Sequence, residues 1–386
     1  MINVNVAYVY GGNWPSQGAA GSFCTFTGYG LATSNKQGQV YLYAAQNTTK
    51  KPAAVLQDYY SVMPRENYQI KLVDTATWFG RVTKFYLSAF NKLRKLAKQG
   101  KIDAVITRKV GFLPYLYLLK KLYGSKIFFE AHNFYVDQNL KGSTGEWKKE
   151  LFQKWFLAKV DGIITHQNKL KKLYQQYFPE QNYCVARTGI KEVTKVDDLW
   201  ENNYLGYIGS LKARKRIGDI IRALSRIKDK NLKLLIIGGR EQELIDDYWE
   251  LARKMGVEDR VEITGWVSRQ KVEEYLKKIK IGVVPLADTF FNRYLTSPMK
   301  IFNYFSHGVP IIGSDLPTIK EIVTDKGGLF YEQGNIDQLV KAINRLNSSQ
   351  ELFEQYSNYI LDEAEELLWS KRGKKILEFI KQVEEK

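Results

Sequence analysis

The sequence predicts an α/β protein with two doubly wound parallel sheets that are covered by helices on both faces. Apolar runs of strand length alternate with helical patterns along all 386 residues. This alternation is typical of parallel strands joined by crossover helices. The chain is too long for one compact core, and a polar stretch without periodicity, residues 191–203, separates two such sets of elements. We therefore predict two Rossmann-like domains.

The first predicted domain comprises residues 1–190. Its strand-like runs are "NVAYVY", "QVYLYAA", "YQIKLVD", "DAVITR", "KIFFE" and "DGIITH". The clearest helical patterns between them are "RVTKFYLSAFNKLRKLAKQ" and "WKKELFQKWFLAK". We expect this domain to end with the strand in "YCVARTGI".

The second predicted domain comprises residues 191–369. Its strands are "YLGYIG", "LKLLIIG", "RVEIT", "KIGVVPL" and "VPIIGS", and its helices include "RIGDIIRALSRI", "QELIDDYWELARKM", "RQKVEEYLKKI" and "SPMKIFNYFSH". Residues 370–386 predict one more helix, with a kink between Ser370 and Gly373. This helix either stays with the second domain or crosses back to the first.

Composition and length bound the class of protein. The chain is 44% hydrophobic and 26% charged, which is a globular composition. No apolar run approaches the ~18 residues that span a bilayer, and "MINVNVAYVY" is a strand pattern rather than a signal peptide. Two distant cysteines, Cys24 and Cys184, exclude a disulfide framework and a cysteine zinc site. We expect a cytoplasmic protein.

The net charge of +17 is concentrated in the first half of the chain. Residues 1–190 carry +16 and residues 191–386 carry +1. This asymmetry indicates an acidic partner for the first domain: a membrane surface, a nucleic acid or an anionic substrate. Nucleic acid is disfavoured because the cations belong to no nucleic-acid-binding motif.

One basic segment, "TWFGRVTKFYLSAFNKLRKLAKQGK", mixes cations with aromatic residues. The aromatic residues are Trp78, Phe79, Phe85 and Tyr86. Two interpretations are open. The segment is a helix for an anionic lipid surface on the inner face of the plasma membrane, or it packs on the sheet and exposes a solvated basic face.

Ligands of open parallel sheets bind at the carboxyl ends of the strands. In the first domain, Gly11 and Gly12 open a glycine-rich loop that is neither a dinucleotide fingerprint nor a Walker A loop. Two interpretations are open: the loop lets a ligand approach the backbone, or it is only a flexible turn. His132 follows "FFEA", and Glu130 anchors that loop. A histidine just past a strand end favours a functional role over a packing role.

In the second domain, cations crowd the loop after its first strand. They lie in "GSLKARKRIGD" and are Lys212, Arg214, Lys215 and Arg216. Cations at a strand end, with a helix start behind them, favour a diphosphate site over a solvated charge run.

The helix in "TSPMKIFNYF" has a cation near its amino terminus, where a cation is electrostatically unfavourable. We expect Ser297 to cap it and Pro298 to occupy the first helical position. Lys300 then lies in the first turn, where helix electrostatics favour an acid. An anionic phosphate at the helix start would explain Lys300. The alternative is a surface lysine on an ordinary amphipathic helix.

These loops together resemble glycosyltransferase family 4, whose members have the GT-B fold of two Rossmann-like domains facing across a cleft. The resemblance covers nearly the whole chain and is strongest in "YIGSLKARKRIGDIIRAL" and "SPMKIFNYFSHGVPIIGSDLPTIKEIV". It implies a nucleotide-diphospho-sugar in the second domain, an acceptor in the first, and transfer with retention, usually without a metal. The nucleotide-sugar is a co-substrate, so no cofactor is implied.

The resemblance also assigns roles to residues. It implies a catalytic or phosphate-binding role for His132, Lys215 and Lys300. It implies substrate contacts from Gly11, Gly12, Ser210, Arg214, Arg216, Ser297, Pro298 and Met299. The nucleobase contact falls on Gly265, Trp266 and Val267.

The chain departs from the family pattern at three positions. The two family glutamates are replaced by Leu295 and Asn303, and an arginine after the first glycine of the second domain is replaced by Ser210. Asn303 can accept from a ribose hydroxyl but brings no charge. The sequence also lacks a D-x-D pair, which disfavours the metal-dependent single-domain glycosyltransferases.

The expectation is a metal-independent retaining hexosyltransferase. It would move a sugar from a UDP- or GDP-sugar to a glycan or lipid-linked glycan in surface or exopolysaccharide synthesis. Fixed cations would stabilise the leaving diphosphate. The alternative, motivated by Leu295 and Asn303, is a non-catalytic nucleotide- or glycan-binding protein that kept the fold.

Overall fold

The protein folds into two compact units, each built around one parallel sheet. In the computed structural model the described residues are 3–16, 18–75, 81–141 and 146–385. The first unit joins residues 1–189 to residues 368–386, and the second contains residues 190–367. The α/β architecture with two Rossmann-like sheets is confirmed.

The first unit has seven strands, in the order β3-β2-β1-β4-β5-β6-β7. These strands are β1 Val6–Trp14, β2 Val40–Gln46, β3 Tyr68–Val73, β4 Ala104–Thr107, β5 Lys126–Ala131, β6 Gly162–Thr165 and β7 Tyr183–Val185. Its helices are α1 Ala19–Ser34, α2 Pro52–Asp58, α3 Arg81–Lys98, α4 Leu113–Tyr123, α5 Gln138–Lys141, α6 Trp147–Leu157, α7 Asn168–Gln175 and the C-terminal α15 Trp369–Glu384.

The second unit has six strands, in the order β10-β9-β8-β11-β12-β13. These are β8 Tyr204–Ile208, β9 Lys233–Ile237, β10 Val261–Ile263, β11 Ile279–Val284, β12 Ile311–Ser314 and β13 Gly328–Tyr331. Its helices are α8 Ile217–Arg226, α9 Gln242–Lys254, α10 Arg269–Leu276, α11 Met299–Phe305, α12 Pro317–Gly327, α13 Ile336–Ser348 and α14 Gln350–Glu366.

The strand orders fix where each sheet can bind a ligand. Strand order reverses between β1 and β4 in the first sheet and between β8 and β11 in the second. At such a switch point the loops leave in opposite directions and open a crevice at the carboxyl ends of the strands. Strands β4, β6 and β11 are buried along their whole length, as expected where helices cover both faces.

The C-terminal helix α15 packs tightly on α1 inside the first unit. A Cβ at Gly30 would lie 2.0 Å from the carbonyl oxygen of Trp369, and a Cβ at Gly373 would lie 2.2 Å from that of Gly30. Ser34 Oγ also donates a hydrogen bond of 2.6 Å to the Ser370 carbonyl. The two glycines therefore let the helix backbones approach to a distance that no side chain would allow.

The sequence analysis missed one strand and misplaced one helix break. Strand β13 was not anticipated, because "GGLFY" is short and begins with two glycines. The helix break lies at residues 367–368, between α14 and α15, and α15 runs unbroken through the predicted kink at residues 370–373. Gly373 serves close packing, not bending.

The predicted glycine loop is instead an extension of β1. The strand continues to Trp14, with an irregular register between Val9 and Asn13. Gly11 has φ +64° there, a left-handed conformation that glycine adopts without steric cost. Gly11 and Gly12 thus form a bulge at the strand's end, and bulges re-aim the chain near functional sites.

Helix α3 packs on the first sheet through its aromatic residues. Phe85 is 2% exposed, whereas Lys92, Arg94 and Lys98 are exposed. This arrangement matches the second interpretation of the basic segment, a packed helix with a solvated basic face. Trp78 and Phe79 lie outside the described residues. Among the described helices, none is both long and apolar enough to cross a membrane.

The α1–α15 contact makes a testable prediction. Gly30→Ala should lower the free energy of unfolding of the first unit by about 2–3 kcal/mol, because the added methyl group meets a backbone oxygen that cannot rotate away. Gly18→Ala is the matched control, since a Cβ there comes no closer than 3.4 Å to another atom. Urea unfolding of both variants measures the difference. Equal stability of the two would contradict the packing described.

Candidate functional site

Two glycine residues form the backbone at the switch point of the second sheet. Gly209, just after β8, has φ +136°, and Gly238, just after β9, has φ +133°. A Cβ at Gly238 would lie 2.1 Å from the Gly209 carbonyl oxygen. The Tyr207 hydroxyl donates a 2.8 Å hydrogen bond to the Ser210 carbonyl and holds the turn. Ser210 itself is exposed.

Lys300 reaches this turn from α11. Its Nζ lies 3.3 Å from the centroid of the Tyr207 ring, and a Cβ at Gly209 would be 3.8 Å from it. Lys300 is 7% exposed, and among the described residues no hydrogen-bond acceptor meets its Nζ. Burial, and then the charge of Lys215, hold the pKa of Lys300 well below the usual lysine value. An ammonium in this position lacks a counter-ion.

The two cations proposed beside Lys300 differ in their surroundings. Lys215 is half-buried, and its pKa is lowered by burial and by the charge of Arg214. Arg216 is instead engaged: its Nε and Nη2 donate to the buried carboxylate of Asp219 at 2.6 and 3.2 Å. The charge of Lys215 therefore acts on Lys300, whereas Arg216 fixes the start of α8 through Asp219.

The start of α11 differs from the prediction. The helix begins at Met299, and Pro298, with φ −65° and ψ 111°, is the cap residue. Ser297 lies one position earlier and is not the cap. The extended ψ of Pro298 keeps it outside the helix, while its carbonyl accepts from the Ile301 amide at 3.0 Å. Lys300 remains in the first turn, as expected.

The turn predicted to meet a nucleobase lies at the same edge of the sheet. Gly265 has φ +65° and bridges to Gly238 beyond β9. The Trp266 side chain is 52% exposed, and the Arg240 guanidinium lies 5.6 Å from its ring centroid. Val267 follows in the turn before α10. An exposed indole supported by an arginine offers a flat stacking surface.

The two positions that depart from the family pattern flank Lys300 in sequence. Leu295 is 2% exposed and ends a short helical turn, Phe291–Leu295. Asn303 is half-buried one turn after Lys300, and its carbonyl accepts from Ser306 Oγ at 2.8 Å. The structure thus places a buried apolar side chain at one position and a neutral amide at the other.

In the first unit, a buried carboxylate organises the end of β5. Glu130 is 1% exposed and accepts hydrogen bonds from the Tyr8 hydroxyl and from the Arg372 guanidinium. Burial opposes its charged form, but Arg372, His132 and Tyr8 together hold the pKa of Glu130 at about 2. Glu130 therefore anchors this loop as an ionised group.

His132 is held in the neutral state beside that carboxylate. Its Nε2 lies 3.3 Å from Glu130 Oε1, and its ring packs edge-on against Phe23 at 4.7 Å. Burial and the charge of Arg108 lower the pKa of His132 to about 4. Nε2 completes no hydrogen bond within the described residues, but the nearby carboxylate favours the proton on Nε2, which leaves Nδ1 as an acceptor.

Sequence reasoning missed several neighbours of His132. Arg108 and Lys109 directly follow β4, so the rule that ligands bind at strand ends could have found them. Tyr8 lies within the first strand, and Arg372 lies 242 positions away from Glu130 in α15. Neither carried a local signal. Among the described residues, no group of three or more His, Cys, Asp or Glu side chains is arranged to hold a metal ion.

Solved structures share this fold along almost the whole chain. Sucrose-phosphate synthase from Thermosynechococcus elongatus matches 99% of the chain and 100% of its own, with a TM-score of 0.75 at 15% identity. HepE of Anabaena, solved in complex with UDP, matches 98% of the chain and 100% of its own, with a TM-score of 0.72 at 11% identity. These neighbours define the class: the fold is GT-B.

Sequence comparisons give the family. Residues 35–192 match the model described as Glycosyltransferase Family 4, and residues 202–349 match the model described as Glycosyl transferases group 1. The chain belongs to this family of glycosyltransferases.

Two curated relatives agree with that assignment. An uncharacterized glycosyltransferase of Haemophilus influenzae is 25% identical over 71% of this chain and 75% of its own length. The alpha-monoglucosyldiacylglycerol synthase of Streptococcus pneumoniae is 22% identical over 70% of this chain and 66% of its own length.

The buried His307 predicts that folding stability falls at acid pH. His307, after α11, is 1% exposed, and burial lowers its pKa to about 4, although Nε2 lies 3.3 Å from the Glu273 carboxylate. Between pH 6.5 and 4 the unfolded chain protonates this histidine while the folded chain does not. Stability therefore falls as the pH falls, by about 1–2 kcal/mol between pH 6.5 and 5.

His307→Gln should remove that part of the pH dependence, because glutamine does not titrate. Urea unfolding of the protein and the variant at pH 7, 6 and 5 measures it. Parallel pH profiles for the two proteins would contradict the assignment of a depressed pKa to His307.

Proposed function

We propose that this protein is a retaining glycosyltransferase that takes a sugar from a UDP- or GDP-sugar and transfers it to a glycan or lipid-linked glycan. The buried Lys300 ammonium, with no acceptor among the described residues, carries the proposal. A diphosphate at the carboxyl end of β8 would supply its missing counter-ion. Lys215 would share that charge.

The proposed chemistry depends on the leaving group. As the glycosidic bond breaks, negative charge grows on the nucleoside diphosphate. Fixed cations therefore bind the transition state more tightly than the ground state. Lys300 is held against the Tyr207 ring before the donor arrives, so little reorganisation is needed. No metal is required in this proposal, because Lys300 and Lys215 carry the charge that a metal would otherwise neutralise.

His132 has the second proposed role. Its neutral ring, oriented by Glu130, would accept a hydrogen bond from a hydroxyl of the donor sugar or of the acceptor. Trp266 would stack on the nucleobase. Asn303 would meet the ribose through its amide, in place of the family carboxylate. The donor sugar stays open in this proposal, because Leu295 brings no polar contact.

The proposed place of the enzyme is the cytoplasmic face of a membrane, in surface or exopolysaccharide synthesis. The excess of +16 in residues 1–190 supports an anionic surface as the partner of the first unit.

Catalysis is tested by incubating the protein with UDP-sugars and GDP-sugars and following the sugar by proton NMR. Transfer or hydrolysis with the donor's anomeric configuration preserved supports a retaining enzyme. An inverted product contradicts retention. Nucleotide binding without any turnover of these donors favours the alternative, a non-catalytic binding protein.

Lys300→Met tests the donor site. The substitution should weaken UDP binding about 30-fold or more, because a charge-assisted hydrogen bond to phosphate is lost. It should also raise the free energy of unfolding by about 1–3 kcal/mol, because an unpaired buried charge is replaced by an apolar chain. Calorimetric titration with UDP, repeated with GDP, and urea unfolding measure both effects.

Lys280→Met is the matched control. Lys280 is also 7% exposed, with its Nζ 3.5 Å from the centroid of the Trp200 ring, but it lies near the amino end of β11. The Lys280→Met substitution should leave the affinity for UDP and GDP unchanged. Unchanged affinity in Lys300→Met as well would remove Lys300 from the donor site.

A further inference from the structure

A cavity of about 410 Å³ lies in the first unit, at the carboxyl ends of β4 and β5. Its walls come from the segments that follow β4 and β5, from α3 and from α6. His132 lies in its wall. In an open parallel sheet this is the place where a ligand is expected.

The polar side of the cavity is cationic. Arg108, Lys109, Lys148 and Lys149 line it, and none of the described lining residues is Asp or Glu. Lys149 is paired outside the lining with Glu146, and Lys148 lies over the Trp147 ring. Arg108 donates to Cys24 Sγ at 3.5 Å.

Lys109, like Lys148, forms no hydrogen bond or ion pair through its Nζ within the described residues, and each lies only near an aromatic ring. The Lys109 stem lies against Gly11, where a Cβ would be 3.4 Å from Lys109 Cγ. Its Nζ is 5.8 Å from the Tyr10 ring centroid. Burial and the charges of Arg108 and Lys149 lower its pKa. Four cations line the cavity, and two of them, Lys109 and Lys148, have no hydrogen bond or ion pair within the described residues, which favours a multiply charged anion as the ligand.

Apolar and aromatic side chains make up much of the remaining lining. They are Val82, Tyr86, Phe129 and Phe152. Val82 is also 61% exposed, so the apolar wall continues to the protein surface. A phosphate alone would leave this wall in contact with water. The ligand that covers both sides carries an apolar chain next to its anionic group.

The outer face of α6 supports the same conclusion. Trp147, Leu151 and Trp155 recur every four residues and are 61%, 44% and 62% exposed. Residues at this spacing share one face of a helix. Lys159 lies 5.1 Å from the Trp155 ring centroid. Exposed tryptophans interleaved with lysines are typical of surfaces that meet the headgroup region of a membrane.

We propose that the cavity binds the phosphate or diphosphate of an amphiphilic acceptor. The phosphate lies against Lys109, Arg108 and Lys149, and the apolar chain leaves along Phe152 and Val82. The identification of this ligand as the acceptor rests on the proposed function. The binding of the ligand does not rest on the proposed function, because the cavity is formed by the first unit alone.

Octyl phosphate, below its micelle-forming concentration, is the probe. By calorimetry it should bind at least about tenfold more tightly than octyl glucoside or inorganic phosphate, since only octyl phosphate meets both walls. Lys109→Gln should weaken octyl phosphate about tenfold, and Lys149→Gln less. Lys98→Gln removes the same charge from the exposed end of α3 and should have no effect.

Equal binding of octyl phosphate and octyl glucoside overturns the proposal, and so do equal losses in Lys109→Gln and Lys98→Gln. A UDP titration of the same preparation tests the donor site separately, so the two failures are distinguishable.

The source of the ligand is decided with vesicles of phosphatidylcholine that contain phosphatidylglycerol. Co-sedimentation that is lost in Trp155→Ser indicates a membrane lipid. Octyl phosphate binding without co-sedimentation indicates a soluble phosphorylated acceptor.

Discussion

The buried amino group of Lys300 is the strongest electrostatic constraint at the switch point of the second unit, because burial disfavours its charged form unless an anion pairs with it. A lysine with its Nζ 3.3 Å from the centroid of the Tyr207 ring, 7% exposed and without an acceptor in the described part of the chain, destabilises a protein unless an anion arrives. Gly209 leaves space beside it because a Cβ there would lie 3.8 Å from Lys300 Nζ, and Gly238 in turn lets the Gly209 backbone lie close to β9. Lys215 adds a second positive charge. The unpaired Lys300 thus lowers the free energy of unfolding of this unit, and a bound diphosphate would raise it again.

The buried charge of the first unit, Glu130, is paired within the chain, unlike Lys300 in the second unit. Glu130 is as buried as Lys300, but Arg372 and Tyr8 satisfy it from within the chain. Arg372 arrives on α15, so the return of the C-terminal helix to this unit is needed to hold the Glu130–His132 pair in place. The cations left over, with Lys109 first among them, face the cavity. Glu130, which is neutralised by Arg372, positions His132. The cations of the cavity are separate from that pair and remain available to a ligand.

The sequence predicted the architecture well because strand and helix periodicities are local properties. It singled out His132 and Lys300 because each lies at a strand end or a helix start, where the general rules for parallel sheets apply, and their place in a site stays a prediction. It misplaced the start of α11 by one residue, since the ψ of Pro298 depends on its surroundings. It could not separate Lys215 from Arg216, because that difference depends on the pairing of Arg216 with Asp219. It could not find Arg372, whose partner is 242 residues away.

A crystal structure with UDP bound tests the central claim most directly. The account predicts a diphosphate oxygen within hydrogen-bond distance, about 2.7–3.2 Å, of Lys300 Nζ, with Lys215 on the same phosphate group and the uracil against Trp266. A nucleotide bound at this edge of the sheet that leaves Lys300 Nζ without an acceptor would contradict the account. So would a UDP molecule bound elsewhere on the chain.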